Sequence, residues 1–352
     1  MKKKNYTPST ILMCSPASYW IAEKLNTRMK LEIKPDMDKA WKEWTIIRNL
    51  YTNLGLRVYE IEPQPNLTEM VFTANGAWGV YNKKEGRSEI VLSNFRFDRR
   101  QSEKEHYLRW LKDRLGFTVF ELPEYRRDPG QRTIFFEGQG DAVTATHAYF
   151  IGYGYRTDKE AIEYIKRLLC LTKPVIPMPL CDSDFYHLDT CMMSLPEKNA
   201  LVFYGGAFAY EEGLQKINEY INAHNVIHYR MSKNLADCLA ANSVYVNDTI
   251  LLNIPFPDYS EKAFEKSARG ELLDSQTDIR YREIIAREPE YEKLIKFLWG
   301  LRYGIIPAYT SQFYISGAGV RCMTLFLQLI SDGADEENHK HPDKLLNESL
   351  IS

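Results

Sequence analysis

Ala142-Val143-Thr144-Ala145-Thr146, then Tyr149-Phe150-Ile151-Gly152, then residues 158–169, then Val175-Ile176-Pro177, is the stretch that decides the fold. The first two runs and the last are short and rich in β-branched and aromatic residues, as strands are. Residues 158–169 put Ala161, Ile162, Ile165, Leu168 and Leu169 on one helical face, and Thr157 with Glu160 reads as a capping box. The unit is strand, strand, helix, strand. Working outward, strands are expected at Ile11–Cys14, Leu56–Ile61, Glu89–Ser93, Thr118–Leu122, Ala200–Tyr204, Val226–Tyr229, Ser243–Val246 and Thr249–Asn253. Helices are expected at 101–115, with Gly116 as C-cap, and at 211–223. The repeated rhythm predicts several similar small α/β modules rather than one doubly wound sheet. No Gly-x-Gly-x-x-Gly follows a strand, which argues against a dinucleotide site.

Two segments stand apart. Residues 258–299 are rich in Lys, Glu and Arg, are interrupted by Pro289, and read as a helical insertion packed on the main body. Residues 332–352 form a polar tail. Over 352 residues, 45 Lys and Arg stand against 47 Asp and Glu, so no basic surplus exists to neutralise phosphates. Nucleic acid is therefore excluded as a partner. No apolar run approaches membrane-spanning length, and Ile11-Leu12-Met13-Cys14 is too short for a signal-peptide core. The 6 cysteines include no Cys-x-x-Cys pair, so free thiols in a reducing cytoplasm are expected.

The chemistry-bearing residues fall in four runs. In Ser316-Gly317-Ala318-Gly319-Val320-Arg321-Cys322-Met323-Thr324-Leu325 a small-residue loop delivers one cysteine to an apolar stretch. Cys322 is either a nucleophile held by a rigid element or a small buried hydrophobe. His187 and Asp189 are two apart and would share one face of a strand. They read as a general acid/base beside an anionic anchor, or as a satisfied His beside a solvated Asp. Glu137 and Asp141 flank Gly138-Gln139-Gly140, where a bend would turn a carboxylate into a pocket or onto a surface turn. Glu69-Met70-Val71-Phe72-Thr73-Ala74-Asn75-Gly76 reads as a strand ending in Asn75, a ligand-binding amide or a turn residue. One thiol, one imidazole and several carboxylates suit a planar cation: carboxylates accept the forked donors of a guanidinium, and a thiolate attacks its carbon. Metal binding fits poorly, with one His in the set and no ligand spacing typical of zinc.

These runs, with Leu12-Met13-Cys14-Ser15-Pro16, Asn94-Phe95-Arg96, Arg100-Gln101-Ser102-Glu103, Gly154-Tyr155-Arg156-Thr157 and Ala241-Asn242, resemble in order the guanidino-group modifying superfamily, the penteins. The resemblance is strongest to its amidinotransferase and arginine-dihydrolase branch. It implies a five-module α/β propeller with pseudo-fivefold symmetry, one catalytic domain over residues 1–352, and no cofactor or metal. It further implies Cys322 as nucleophile, His187 as general acid/base, and Glu137 and Asp189 holding the guanidinium. Asn75 stands where deiminases place an aspartate, Arg100 and Arg156 would bind the substrate's α-carboxylate, and Asp141 would support from behind. The implied activity is hydrolysis of a guanidino or ureido group of arginine or a close analogue through an amidino-thioether on Cys322. An amidinotransferase and a non-catalytic binding protein are the alternatives. The partner is then a small molecule, and family habit implies a homo-oligomer.

Overall fold

The computed structural model describes residues 10–124 and 132–327. The polar tail expected at 332–352 lies outside the described residues. β1 (Thr10–Cys14) runs parallel to β2 (Arg57–Ile61), with Ile11 beside Val58. β3 (Ala77–Asn82) and β4 (Arg87–Leu92) form a hairpin, and β5 (Thr118–Phe120) adds parallel to β4. β6 (Ala142–Thr144), β7 (Tyr149–Tyr153) and β8 (Val175–Pro179) repeat that arrangement. So do β9 (Met192–Leu195), β10 (Ala200–Phe203) and β11 (Ile227–Arg230), and then β12 (Val244–Val246), β13 (Thr249–Ile254) and β14 (Gly304–Tyr309). β15 (Leu325–Phe326) returns antiparallel to β1, pairing Phe326 with Ile11. The result is five three-stranded sheets, each with an antiparallel neighbour on one side of its middle strand and a parallel one on the other.

A parallel pair needs a crossover, and here each crossover carries helix. Met37–Asn53 links β1 to β2, and Lys159–Leu168 links β7 to β8. The charged stretch 258–299 fills the same place between β13 and β14 with three helices, Glu261–Ala268, Ile279–Arg287 and Tyr291–Gly300. Its apolar stripe, Leu294, Ile295 and Leu298, is buried, and the Tyr291 hydroxyl donates to the Asn253 carbonyl at 2.8 Å. Middle strands are buried along nearly their whole length, as in β13, where Ile250 to Ile254 are all buried.

Several elements differ from the sequence expectation for visible reasons. The helix Met37–Asn53 has a blurred stripe, because Trp41 is 40% exposed while Trp44, three residues on, is buried. β14 carries Pro307, which lowers its strand signal; the proline is tolerated because β14 is an edge. The expected Thr157–Glu160 box does not form. Asp158 takes the N-cap position, and the Thr157 hydroxyl donates to Asp141 instead.

Candidate active site

Cys322 sits in the loop between the short helix Ser311–Tyr314 and β15, almost fully buried. Neighbouring modules hold this loop on several sides. The Cys322 carbonyl accepts from the Ala74 N–H at 3.0 Å, and the Thr73 hydroxyl lies within hydrogen-bond distance of both the Leu12 and Met323 carbonyls, at 3.0 and 2.9 Å. Asn242 grips the residue twice: its Oδ1 accepts from the Cys322 N–H at 3.2 Å, and its Nδ2 donates to Sγ at 3.1 Å. The thiol in turn donates to Asp189 Oδ2 at 3.6 Å. Burial and the Asp189 charge push the thiol's pKa far above its usual value, against the Gly319 N–H, the Asn242 bond and Arg321, so it is protonated at neutral pH. Burial likewise pushes Asp189 up to about 7, with Arg321 and the Cys322 bond pulling the other way.

The opposite wall is an ion network. Glu137 Oε2 accepts from Arg156 Nη1 at 2.9 Å and lies 2.8 Å from His187 Nε2; its Oε1 accepts from the Arg96 N–H at 3.2 Å. Burial alone would raise the Glu137 pKa, but Arg156 and His187 outweigh it and hold the carboxyl well below the usual carboxylate range. Burial pushes His187 down to about 4, despite Glu137. At neutral pH His187 is therefore a neutral imidazole with Nε2–H on Glu137 and a lone pair on Nδ1. Arg156 lies between Phe97 and Tyr186, 4.7 Å from each ring, and donates to the Leu25 carbonyl at 2.8 Å.

Arg100 makes a fork with Glu103 at 2.8 and 2.9 Å and donates to Asn75 Oδ1 at 3.0 Å. Because a guanidinium only donates, that bond fixes which end of the Asn75 amide is oxygen. Nδ2 is left buried without a partner among the described residues. Gly140 makes the crowding here tolerable: a Cβ at that position would come within 2.3 Å of Asn75 Nδ2 and 3.2 Å of the His187 ring. Gly138, at φ +54, makes the bend before it. Asp141 stands behind, accepting from the Thr157 hydroxyl at 2.7 Å and the Leu188 N–H at 3.1 Å, while Thr157 Oγ1 accepts the Glu137 N–H at 3.2 Å.

Asn75, Arg100, Arg156, His187 and Cys322 line one cavity of about 240 Å³. Glu137 and Asp189 are bonded directly behind its walls. Two premises of the sequence reading change. His187 and Asp189 are not on a strand: His187 caps the 3-10 turn Leu188–Thr190, and the two side chains serve opposite walls. Residues Thr73–Gly76 likewise form a 3-10 turn, with the strand starting at Ala77. The geometry also gives Glu137 a different place from that expected, because its oxygens are engaged by protein donors. Sequence reasoning missed Glu69, Asn26 and Tyr186, which share the cavity, and gave no role to Asn242. The Glu69 carboxylate makes no hydrogen bond among the described residues, and burial pushes it up to about 7 although Arg100 opposes this. No group of three or more metal-ligating side chains occurs among the described residues, and no helix among them is long and apolar enough to cross a membrane.

A family model for N,N dimethylarginine dimethylhydrolase, eukaryotic, matches residues 21–246. The bifunctional arginine dihydrolase/ornithine cyclodeaminase ArgZ of Synechocystis sp. is 30% identical over 259 residues, 72% of this chain and 34% of that protein. The N(G),N(G)-dimethylarginine dimethylaminohydrolase of Mycobacterium tuberculosis is 32% identical over 205 residues, 58% of this chain and 61% of that one. The chain thus spans about a third of the first relative and under two thirds of the second. The ArgZ N-terminal domain, solved bound to substrate, overlays with a TM-score of 0.70 at 25% identity, covering 91% of this chain and 98% of that one. The same domain solved covalently bonded to a reaction intermediate also gives a TM-score of 0.70 at 25% identity, covering 90% of this chain and 96% of that one.

Proposed function

The chain belongs to the N,N dimethylarginine dimethylhydrolase family, and from that membership and the site geometry we propose that it hydrolyses the guanidino group of free arginine and then the ureido group of the citrulline formed. In this reading the five sheets are the blades of a pentein propeller. Arg156 uses two of its five N–H donors on described residues, leaving others for a substrate carboxylate. Glu69, unbonded in the same cavity, would accept the α-ammonium. The guanidinium then lies against Cys322 and Asp189. A cation about 4 Å from a thiolate contributes about 4 kcal/mol at an effective dielectric of about 20, roughly a thousandfold in thiol acidity. Substrate binding would thus ionise a thiol that is neutral in its absence.

The thiolate attacks the guanidinium carbon, the C=N electron pair moves onto nitrogen, and the departing nitrogen leaves as ammonia with a proton that His187 Nδ1 first takes up from solvent. Water, deprotonated by His187 at the lone-pair nitrogen, attacks the amidino-thioether carbon, and the C–S bond breaks to give citrulline. Glu137, bonded at Nε2, leaves Nδ1 as the nitrogen that gives a proton in the first step and takes one in the second. A second passage through the same residues gives ornithine, CO2 and ammonia. In balance, arginine and two waters yield ornithine, two ammonia and CO2.

The observation that carries the second step is the Asn75 amide. Its unpartnered Nδ2 donor has nothing to bond on a guanidinium, which carries only donors. It complements an oxygen, as on a ureido carbonyl or a tetrahedral adduct. The test is mass spectrometry of products from L-arginine and from L-citrulline, with wild type, Cys322→Ala and Asn75→Asp. Ornithine and ammonia from both substrates are expected with wild type, neither with Cys322→Ala, and accumulation of citrulline from arginine with Asn75→Asp. Turnover confined to methylated arginines would overturn the substrate assignment, and a guanidino product formed only with an amine acceptor would overturn hydrolysis.

A further inference from the structure

A second cavity, of about 680 Å³, lies against Asp189, Arg321, Ser194, Thr144 and Gln139. It shares no lining residue with the cavity that holds Cys322 and His187. The contact between the two is the hydrogen bond from the Cys322 thiol, in the wall of the first, to Oδ2 of Asp189, in the wall of the second. The other oxygen of that carboxylate, Oδ1, is buried with no hydrogen-bond partner among the described residues, and so is Ser194 Oγ. The thiol makes no hydrogen bond to His187; its bonded neighbours are the Gly319 N–H and Asn242, which donate, and Asp189, which accepts. Asp189 is the one among these able to take a proton from sulfur.

We propose, on the premise that Cys322 is the nucleophile, that the thiol proton leaves the substrate pocket through Asp189 into this second cavity. Substrate enters by one side and the proton departs by the other. The S–H bond breaks, its electron pair stays on sulfur, Asp189 Oδ2 accepts the proton, and Asp189 passes a proton to solvent in the second cavity, returning to a carboxylate. The proton needed by the departing ammonia is then taken up separately through His187, so that the two transfers balance over the turnover. Asp189 can act this way because burial brings its pKa up to about 7, close to the pH at which it must both accept and release. The titratable and charged groups acting around it are Cys322 and Arg321 from the loop before β15, Asp141 beyond the Gly138–Gly140 bend, and Tyr186 and Cys191 on either side along the chain. Arg321 is anchored on the Thr324 carbonyl and Gln139 Oε1 at 2.6 and 3.0 Å. It offers positive charge to the Asp189 carboxylate without being hydrogen-bonded to it.

The experiment fills the second cavity and leaves the first untouched. Ser194→Leu and Thr144→Phe add bulk there, and Ser194→Ala is the control that keeps it open. Each is mixed with a cationic haloacetamidine, which forms one thioether on Cys322 and liberates one proton and one halide. Proton release is followed by a pH indicator and the adduct site by mass spectrometry. The filled variants should release the proton at least tenfold more slowly than wild type at pH 7, with Ser194→Ala within twofold and the KM for arginine within twofold throughout. Release at the wild-type rate in a filled variant that melts normally would overturn the proposal. On wild type alone, the alkylation rate in mixtures of H2O and D2O should curve with deuterium fraction, since two protons move; a straight line would also overturn it. An adduct on a residue other than Cys322 would instead overturn the nucleophile assignment. Lack of arginine turnover beside slow release in the filled variants would overturn the substrate and leave the proton path standing.

Discussion

The two walls of the Cys322 pocket solve the problem of buried charge in opposite ways. On the Glu137 wall each cation has its anion: Arg156 is paired with Glu137 and Arg100 with Glu103, and His187 is neutral. On the Cys322 wall a thiol and a carboxylate stand together, both pushed upward, with Arg321 the cation that opposes this among the described residues. The first wall is settled before substrate arrives. On the second, no cation is hydrogen-bonded to the carboxylate or the thiol among the described residues, and the substrate proposed above is a cation. On the proposed reading, the site holds its imidazole ready and leaves its thiol protonated until a positively charged reactant fills the pocket.

The largest effect should come from breaking the settled wall. Glu137→Gln removes the anion that compensates Arg156 and fixes the His187 tautomer. We expect kcat to fall about 10²- to 10³-fold, and stability to drop by about 3 to 5 kcal/mol because a buried partner charge is left unpaired. Activity assays and thermal melts check both; an unchanged melting temperature would mean that Arg156 finds another anion.

A smaller effect should mark the side away from the reacting carbon. Glu69→Gln leaves both walls intact but replaces an unbonded carboxylate facing the cavity. The KM for arginine should rise about 10- to 100-fold with kcat within about threefold, the pattern of lost uniform binding. Equal loss in kcat would put Glu69 in the chemistry instead.

The smallest effect is on stability against pH, and its sign separates His187 from the two raised carboxylates. His187 has a folded pKa of about 4 against an unfolded 6.5, so its contribution is present above 6.5 and lost as pH falls through 4. Asp189 and Glu69, at about 7 when folded, contribute stability below their unfolded values near 4 and lose it as pH rises through 7. Asp189→Asn and Glu69→Gln should therefore melt a few degrees higher than wild type at pH 8 and level with it at pH 4. Calorimetry at both values decides; a gain confined to pH 4 would reverse the assignment.

Much of this was legible in the sequence because it is local. The strand-strand-helix-strand rhythm is carried by short apolar runs, and it matches the observed units at β6 to β8 closely. Cys322, His187, Glu137, Asp189, Asn75, Arg100, Arg156 and Asp141 were named from runs of a few residues, and all eight lie in or directly behind the two linked walls. What could not be read is how they pair. Asn242 meets Cys322 across 80 positions of sequence, and no periodicity encodes that. Glu69 begins a run that looked like a strand, so its carboxylate drew no notice. The Thr157 hydroxyl obeyed a capping rule on paper, but a buried carboxyl needs a donor more than a solvated helix end does, and Asp141 took it.

The pairing of β15 with β1 sets a clock on this molecule. The residues immediately after Cys322 are held by the first strand of the chain: Leu325 against Leu12, and the Leu327 N–H on the Thr10 carbonyl at 3.0 Å. During synthesis the earlier sheets can form one after another as they emerge, but the first sheet stays open on one side until residue 327 is free of the ribosome. Cys322, three residues before β15, is set in place only when that pairing forms. The loop that carries the thiol and the strand that anchors it are therefore joined by the closing contact of the first sheet.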